Sequence, residues 1–308
     1  MKIWNYGILA ALIAAGGCAA PASDVQSQST EASAPSGAAI EAATARIIDI
    51  EERSGGRLGV ALVDPEGHVL LSHRGDERFA MCSTFKTLLA ARILSDPNGL
   101  QLDDRLTIDP AAVEGHAPFT RSRLDEGWMT VGEAAEHIVT VSDNAAANLL
   151  LDQVGGPSGL TQWIRSLGDD VTRLDRRELE LNENAAGDPR DTTAPLAFAE
   201  TYRKVMHDDA VLGDAQRDQL AGWLAASVTG LHRLRAGMPE GWRVGDKTGF
   251  CAEPGAEEIN DIAVFDPDGE GWYTLAFMLD RPRETGAFVD KLGAEVGAIA
   301  AKLVRPGA

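Results

Sequence analysis

Cysteine is scarce, three in 308 residues. That excludes a scaffold built on disulfides, and no CxxC or HExxH spacing marks a metal centre. Basic residues are also few, 28 Lys and Arg against 47 Asp and Glu, for a formal charge of −19. So acidic a chain is a poor match for nucleic acid, whose affinity rests on Lys and Arg contacts, and for anionic lipid surfaces. No run beyond residue 17 is long and apolar enough to cross a bilayer as a helix. Alternating βαβ units are missing, which argues against a Rossmann sheet, and no internal repeat is visible. None of the six histidines sits in a recognisable Ser-His-Asp context. What remains is ordinary globular composition, with length for roughly two domains.

The N-terminus reads as an address. Residues 1–18, MKIWNYGILAALIAAGGC, carry one Lys, an apolar run over 8–15 and then small residues, the layout of a secretory signal. Ala15-Gly16-Gly17-Cys18 resembles a bacterial lipobox, with Ala15 where Leu is commoner. Lipidation of Cys18 is the expectation; cleavage near Ala20 or Ala22, releasing a soluble protein, is the alternative. Residues 19–38, rich in Ala, Ser, Pro and Gln, read as a flexible tether.

Further on, Ile40, Ala43, Ile47 and Ile50 recur at helical spacing over residues 39–53, and Gly55-Gly56 stops the run. Residues 58–63 and 68–73 flank the turn sequence Asp64-Pro65-Glu66-Gly67 and predict a hairpin. Residues 83–225 are mostly helical in texture. Strand texture returns over 243–250, 259–265 and 272–279, and a last helix carries Phe288, Leu292, Val296, Ile299 and Leu303. A sheet supplied by both ends predicts an α/β domain of residues 39–80 and 226–305, with an all-α part, 81–225, inserted. Active sites favour such seams.

Three short motifs carry chemistry. Ser83 and Lys86 lie three apart on a helical run, so hydroxyl and ammonium meet on one face. A serine needs a neighbouring base to become nucleophilic, and a desolvated lysine serves. Ser142-Asp143-Asn144 lies between two helical runs, and Lys247-Thr248-Gly249 ends an apolar strand. Each has an ordinary structural reading: a solvated helix face, a helix N-cap, an exposed strand end. Their order and spacing are what single them out. SxxK, then SDN about sixty residues on, then KTG near the last strands is the signature set of penicillin-recognising serine enzymes.

With these motifs the chain resembles the class A serine β-lactamases over nearly all its length beyond the N-terminal segment. The most discriminating stretch, residues 173–193, RLDRRELELNENAAGDPRDTT, looks like the Ω-loop of that class. It places Glu178 at the carboxylate position and Asn182 four residues on, where helical geometry puts both on one face. The resemblance implies a β-lactamase/DD-peptidase-like α/β (α+β) fold, an antiparallel sheet with flanking helices plus the inserted helical domain. Catalytic roles fall to Ser83 as nucleophile, Lys86 or Glu178 as acylation base, Ser142 as proton relay and Glu178 for deacylation. Substrate contacts fall to Asn144, Asn182, Arg233, Lys247, Thr248, Gly249 and Phe250. The N–H groups of Ser83 and Phe250 would form the oxyanion hole. Arg176 and Asp191 match the ionic pair that closes the loop. Arg233 matches members that lack an arginine on the next strand, which here reads Ile259-Asn260-Asp261-Ile262; its other reading is a surface arginine beside Arg235.

The resemblance also implies no cofactor, no metal, a small-molecule β-lactam substrate, a periplasmic monomer, and membrane contact only through a lipid anchor. Cys82 precedes the nucleophile and Cys251 follows Gly249 by two. An oxidising periplasm favours a bond between them, two reduced cysteines being the alternative. The pair resembles that of the disulfide-bearing carbapenemases, although Phe250 stands where those usually carry Thr or Ser. His116 falls near the family's aromatic gatekeeper, in a loop one residue longer. A DD-peptidase or transpeptidase shares SxxK, SxN and KTG but lacks the Glu178 segment; a β-lactam sensor that stays acylated is the other alternative.

Overall fold

The computed structural model describes Met1 and residues 35–96, 99–251 and 256–306. The signal-like segment, Cys18 and residues 19–34 of the tether lie outside the described residues. Helix α1 (Gly37–Ser54) starts two residues before the expected boundary, because the Ser36 side chain accepts from Ala39 N and caps it there. It ends at Gly55, whose φ of 70° is the left-handed conformation that glycine adopts without strain.

The hairpin forms as predicted from β1 (Arg57–Val63) and β2 (Val69–His73). A short β3 (Phe79–Ala80) leads through a 3₁₀ turn at Cys82–Thr84 into α2 (Phe85–Leu94). The middle of the chain holds β4 (Arg105–Thr107), α3 (Pro118–Ser122), β5 (Trp128–Thr130), α4 (Val131–Thr140), α5 (Asn144–Gln153) and α6 (Gly156–Ser166). Then follow β6 (Thr192–Thr193), α7 (Pro195–His207), α8 (Asp214–Ala225), β7 (Arg243–Cys251), β8 (Glu258–Asp266), β9 (Tyr273–Asp280) and α9 (Ala287–Val304). No described helix is long and apolar enough to cross a membrane.

The five-stranded sheet runs β2-β1-β9-β8-β7, every pair antiparallel. Its centre joins the two ends of the chain: Arg57 pairs with Asp280 and Val63 with Thr274. Strand alternation splits the core in two. On one face Val60, Leu62, Phe265, Phe277 and Leu279 pack with Ile47 and Ile50 of α1 and with Leu292, Val296 and Ile299 of α9. On the other, Ala61, Val63, Ile262, Val264 and Met278 meet the helical block through Phe85, Leu88 and Leu89. β7 is an edge strand, so one side of its backbone is left without a strand partner, and it runs beside the Cys82–Thr84 turn. Gly249 is needed there, since a Cβ at that position would lie 2.6 Å from Met81 O and 3.0 Å from Thr84 Cγ2.

Candidate active site

Ser83 occupies the 3₁₀ turn before α2, placing its hydroxyl at a helix N-terminus. Cys82 before it holds a positive φ of 48°, an uncommon conformation for a side-chain-bearing residue. The turn is pinned from three sides. Met81 N donates to Asp191 O at 2.9 Å, Asn260 Nδ2 donates to Ala80 O at 2.8 Å, and Tyr202 Oη donates to Thr84 O at 2.8 Å.

Lys86 lies one turn on, fully buried, and its Nζ is the hub of the site. It sits 3.0 Å from Ser83 Oγ, 3.0 Å from Ser142 O, 3.4 Å from Ser142 Oγ, 2.6 Å from Asn144 Oδ1 and 2.9 Å from Glu178 Oε1. An ammonium has three protons, so these five acceptors compete for it. Ser83 Oγ also lies 3.3 Å from Glu178 Oε1. Two bases are therefore within hydrogen-bond reach of one hydroxyl, the geometry general-base activation requires.

Glu178 is held along its whole length. Asn182 Nδ2 donates to Oε2 at 2.7 Å, Asn148 Nδ2 donates to the Glu178 carbonyl at 2.8 Å, and Glu178 N donates to Asn148 Oδ1 at 3.1 Å. The expected pairing with Asn182 occurs, but through a 3₁₀ turn over Glu180–Asn182 instead of an α-helix. At the neck of the loop Arg176 Nε donates to Asp191 Oδ2 at 2.6 Å. The other Asp191 oxygen accepts from the backbone N–H of Asp175 at 2.7 Å and of Arg176 at 2.9 Å.

Ser142 and Asn144 flank the start of α5, where Asp143 is the N-cap, so the ordinary reading of the middle residue holds alongside its neighbours' contacts. Buried Asp143 accepts from Ala146 N and Thr120 Oγ1 through one oxygen and from Phe119 N and Thr120 N through the other. That leaves Ser142 in a left-handed conformation, φ 61°, with its Oγ 3.1 Å from Lys247 Nζ on β7. Local strain of this kind concentrates at functional sites. His116 stands beside this turn, its carbonyl accepting from Asn144 N at 2.8 Å. A buried disulfide joins Cys82 to Cys251 of β7 with Cα atoms 5.6 Å apart.

A family model described as the beta-lactamase enzyme family matches residues 41–304. The chain belongs to that family. It is 43% identical over 272 residues to Beta-lactamase OXY-2 of Klebsiella oxytoca, covering 88% of this chain and 91% of that one. It is 42% identical over 260 residues to the Carbapenem-hydrolyzing beta-lactamase KPC of Klebsiella oxytoca, 84% and 86% covered. Among solved structures, the Ancestral (GNCA) Beta-lactamase class A superposes with a TM-score of 0.80 at 47% identity, over 84% of this chain and 99% of that one.

Every site position read from the sequence except Cys18 falls within the described residues, and Ser83, Ser142, Asn144 and Glu178 converge on Lys86. Arg233 is held elsewhere. Its Nε donates to Asp290 Oδ1 at 2.9 Å and its Nη1 to Asn260 O at 3.1 Å. Asn260 is the register partner of Gly249, so the guanidinium lies one strand behind the KTG edge. Among the described residues, no hydrogen bond or ion pair links it to Lys247 or Thr248. Arg235 beside it donates through Nε to buried Asp246 Oδ1 at 2.7 Å. Asn148 was missed by sequence reasoning; its signal was its place one turn after Asn144 on α5. Thr229 was missed too, and its hydroxyl accepts from Thr248 Oγ1 at 2.7 Å.

Electrostatics single out Lys247. Burial, reinforced by the positive charge of Lys86, lowers its pKa to about 7, while Asp246, Asp261 and Glu178 oppose the shift. Above that pH the free enzyme loses the ammonium that would attract a substrate carboxylate. The expected kcat/KM for an anionic β-lactam therefore declines as pH rises through about 7. A Lys247→Arg variant, charged throughout, should move that limb upward. A limb unmoved by the substitution would assign it to another group. Stability runs the other way: between about 7 and the unfolded value near 10.5 the unfolded chain binds more protons, so this group's contribution to folding rises with pH.

Proposed function

We propose that this chain hydrolyses β-lactam antibiotics through a serine acyl-enzyme, a resistance activity. The observation that carries the reading is Ser83 Oγ within reach of both Lys86 and a Glu178 whose far oxygen is held by Asn182. Ser83 attacks the lactam carbonyl while Lys86, or Glu178 through a water, takes its proton. The N–H groups of Ser83 and Phe250 receive the developing oxyanion. The disulfide supports this pairing, because each half-cystine is adjacent to one donor. Ser142, linked to both lysines, relays a proton to the lactam nitrogen as the C–N bond breaks. Asn144 addresses the acyl side-chain amide, and Lys247, Thr248 and Arg233 the carboxylate. A water activated by Glu178 then attacks the ester and returns Ser83. Gly249 admits the strand edge close to the acyl group, and Arg176 with Asp191 holds the loop. The cleft is the seam between the α/β part, 39–80 and 226–305, and the all-α part, 81–225, with the Ω-loop at 173–193. The protein acts as an exported, periplasmic monomer, anchored by a lipid on Cys18, with no cofactor or metal.

Benzylpenicillin, nitrocefin and imipenem hydrolysis by purified protein, with and without reductant, tests this. Catalytic opening of the first two supports it; a single stoichiometric acylation without turnover points to the sensor or DD-peptidase alternatives. Carbapenem hydrolysis is a second reading, favoured by the Cys82–Cys251 bond and by likeness to a carbapenem-hydrolysing relative. Slow or absent imipenem turnover beside rapid benzylpenicillin turnover rejects it.

A further inference from the structure

Eight large hydrophobic side chains are exposed among the described residues, and four of them attach to the catalytic machinery: Leu179, Val228, Leu231 and Phe250. Isolated exposed apolar groups are ordinary, but their gathering at one cleft marks a contact surface. Leu179 directly follows Glu178 and packs towards Gly115, where a Cβ would lie 2.4 Å from its Cδ2. The other three belong to edge strand β7 and to the loop bonded to it. Phe250, 52% exposed, is two residues from Thr248 on edge strand β7, hence on the same face and roughly 7 Å along it. Thr248 bonds to Thr229, which Val228 and Leu231 flank in sequence at 61% and 45% exposure. The Val228 N–H donates to Thr140 O at 3.1 Å, fixing this loop beside the Ser142 turn.

The polar group that would take a substrate carboxylate thus has apolar neighbours along the strand and across the Thr229 loop. We infer that Phe250, with Leu231 and Val228, selects β-lactams bearing a bulky apolar or aromatic substituent next to the carboxylate, the C3 position of a cephalosporin. This rests on the β-lactam reading above. A carboxylate on Lys247 and Thr248 places the neighbouring ring substituent within one strand repeat of Phe250. An exposed phenyl ring offers such a group area to bury but no hydrogen bond. A small polar substituent gains nothing from it. Phe250 is therefore a specificity residue through its side chain, apart from what its backbone N–H contributes.

Two cephalosporins sharing a thienylacetyl C7 group make the test: nitrocefin, with a dinitrostyryl group at C3, and cephalothin, with an acetoxymethyl group. The parent's kcat/KM ratio, nitrocefin over cephalothin, should fall about tenfold in Phe250→Ser, chiefly through a higher KM for nitrocefin. Phe250→Trp should restore the ratio, and Leu231→Ser should lower it in the same direction. Leu231→Ser also carries the test if Phe250→Ser does not fold. A ratio unchanged in both serine variants, with both rings still opened, overturns this inference alone. A parent that opens neither ring overturns the underlying β-lactam reading and this one with it.

Discussion

A Glu178→Ala variant is expected to open one equivalent of nitrocefin and then stop. Steady-state kcat should fall by about 10²–10⁴, the usual worth of a positioned general base. The acyl-enzyme should persist as a mass increment on Ser83. Acylation should survive better than deacylation, because Lys86 Nζ remains 3.0 Å from the Ser83 hydroxyl. In the proposed mechanism the carboxylate has no such understudy in the second step: it is the group to which Asn182 donates and on which a water would rest. Parental turnover of benzylpenicillin by this variant would overturn the mechanism. It would also restore the DD-peptidase alternative, which does without that carboxylate.

The second large effect concerns Lys86. Its side chain and that of Glu178 are both wholly shielded from solvent and meet at 2.9 Å. Removing one partner of such a pair leaves the other charge buried and uncompensated, a cost of about 3–5 kcal/mol. Lys86→Met should therefore lose acylation and also stability, with Tm falling by roughly 10 °C for a chain of this size. A surface ion pair would show neither, since exposed pairs contribute about 0–1 kcal/mol. The double variant Lys86→Met/Glu178→Gln contains no buried charge at this point and should regain much of the lost Tm while staying inactive. Stability losses that simply add would mean that the two groups do not interact. Activity and stability thus separate in the double variant, which no merely structural role for Lys86 explains.

How much of this was legible in the sequence varied with the kind of signal. The strands and the long helices announced themselves by period, and their observed bounds differ from expectation by a residue or two, where a cap such as Ser36 decides the terminus. Helix α6 was not read, since only Leu160 and Ile164 of its apolar positions are fully buried and it opens on Gly-Pro. The nucleophile, the lysines and Glu178 were legible because short motifs fix them in order along the chain. Their partners were not. Asn148, Thr229 and Tyr202 reach the site from 30, 19 and 118 residues away from the groups they bind. Only Asn148, one turn after Asn144 on α5, carries a local signal; nothing local in the sequence marks the other two. Arg233 shows the converse: its spacing before KTG was clear, but only the fold reveals Asp290 as the carboxylate that orients it.

The central strand pair has a consequence for how the molecule comes to exist. β1 is complete by residue 63, yet it must wait for residues 273–280 to arrive before its inner edge is paired. Chain synthesis at about 5–20 residues per second makes that delay on the order of ten seconds or more. Through that interval the first hairpin is an unsatisfied edge whose apolar face has neither β9 nor α9 to cover it. Contacts of such sequence separation make folding slow, and this sheet cannot close before its last strand has been made.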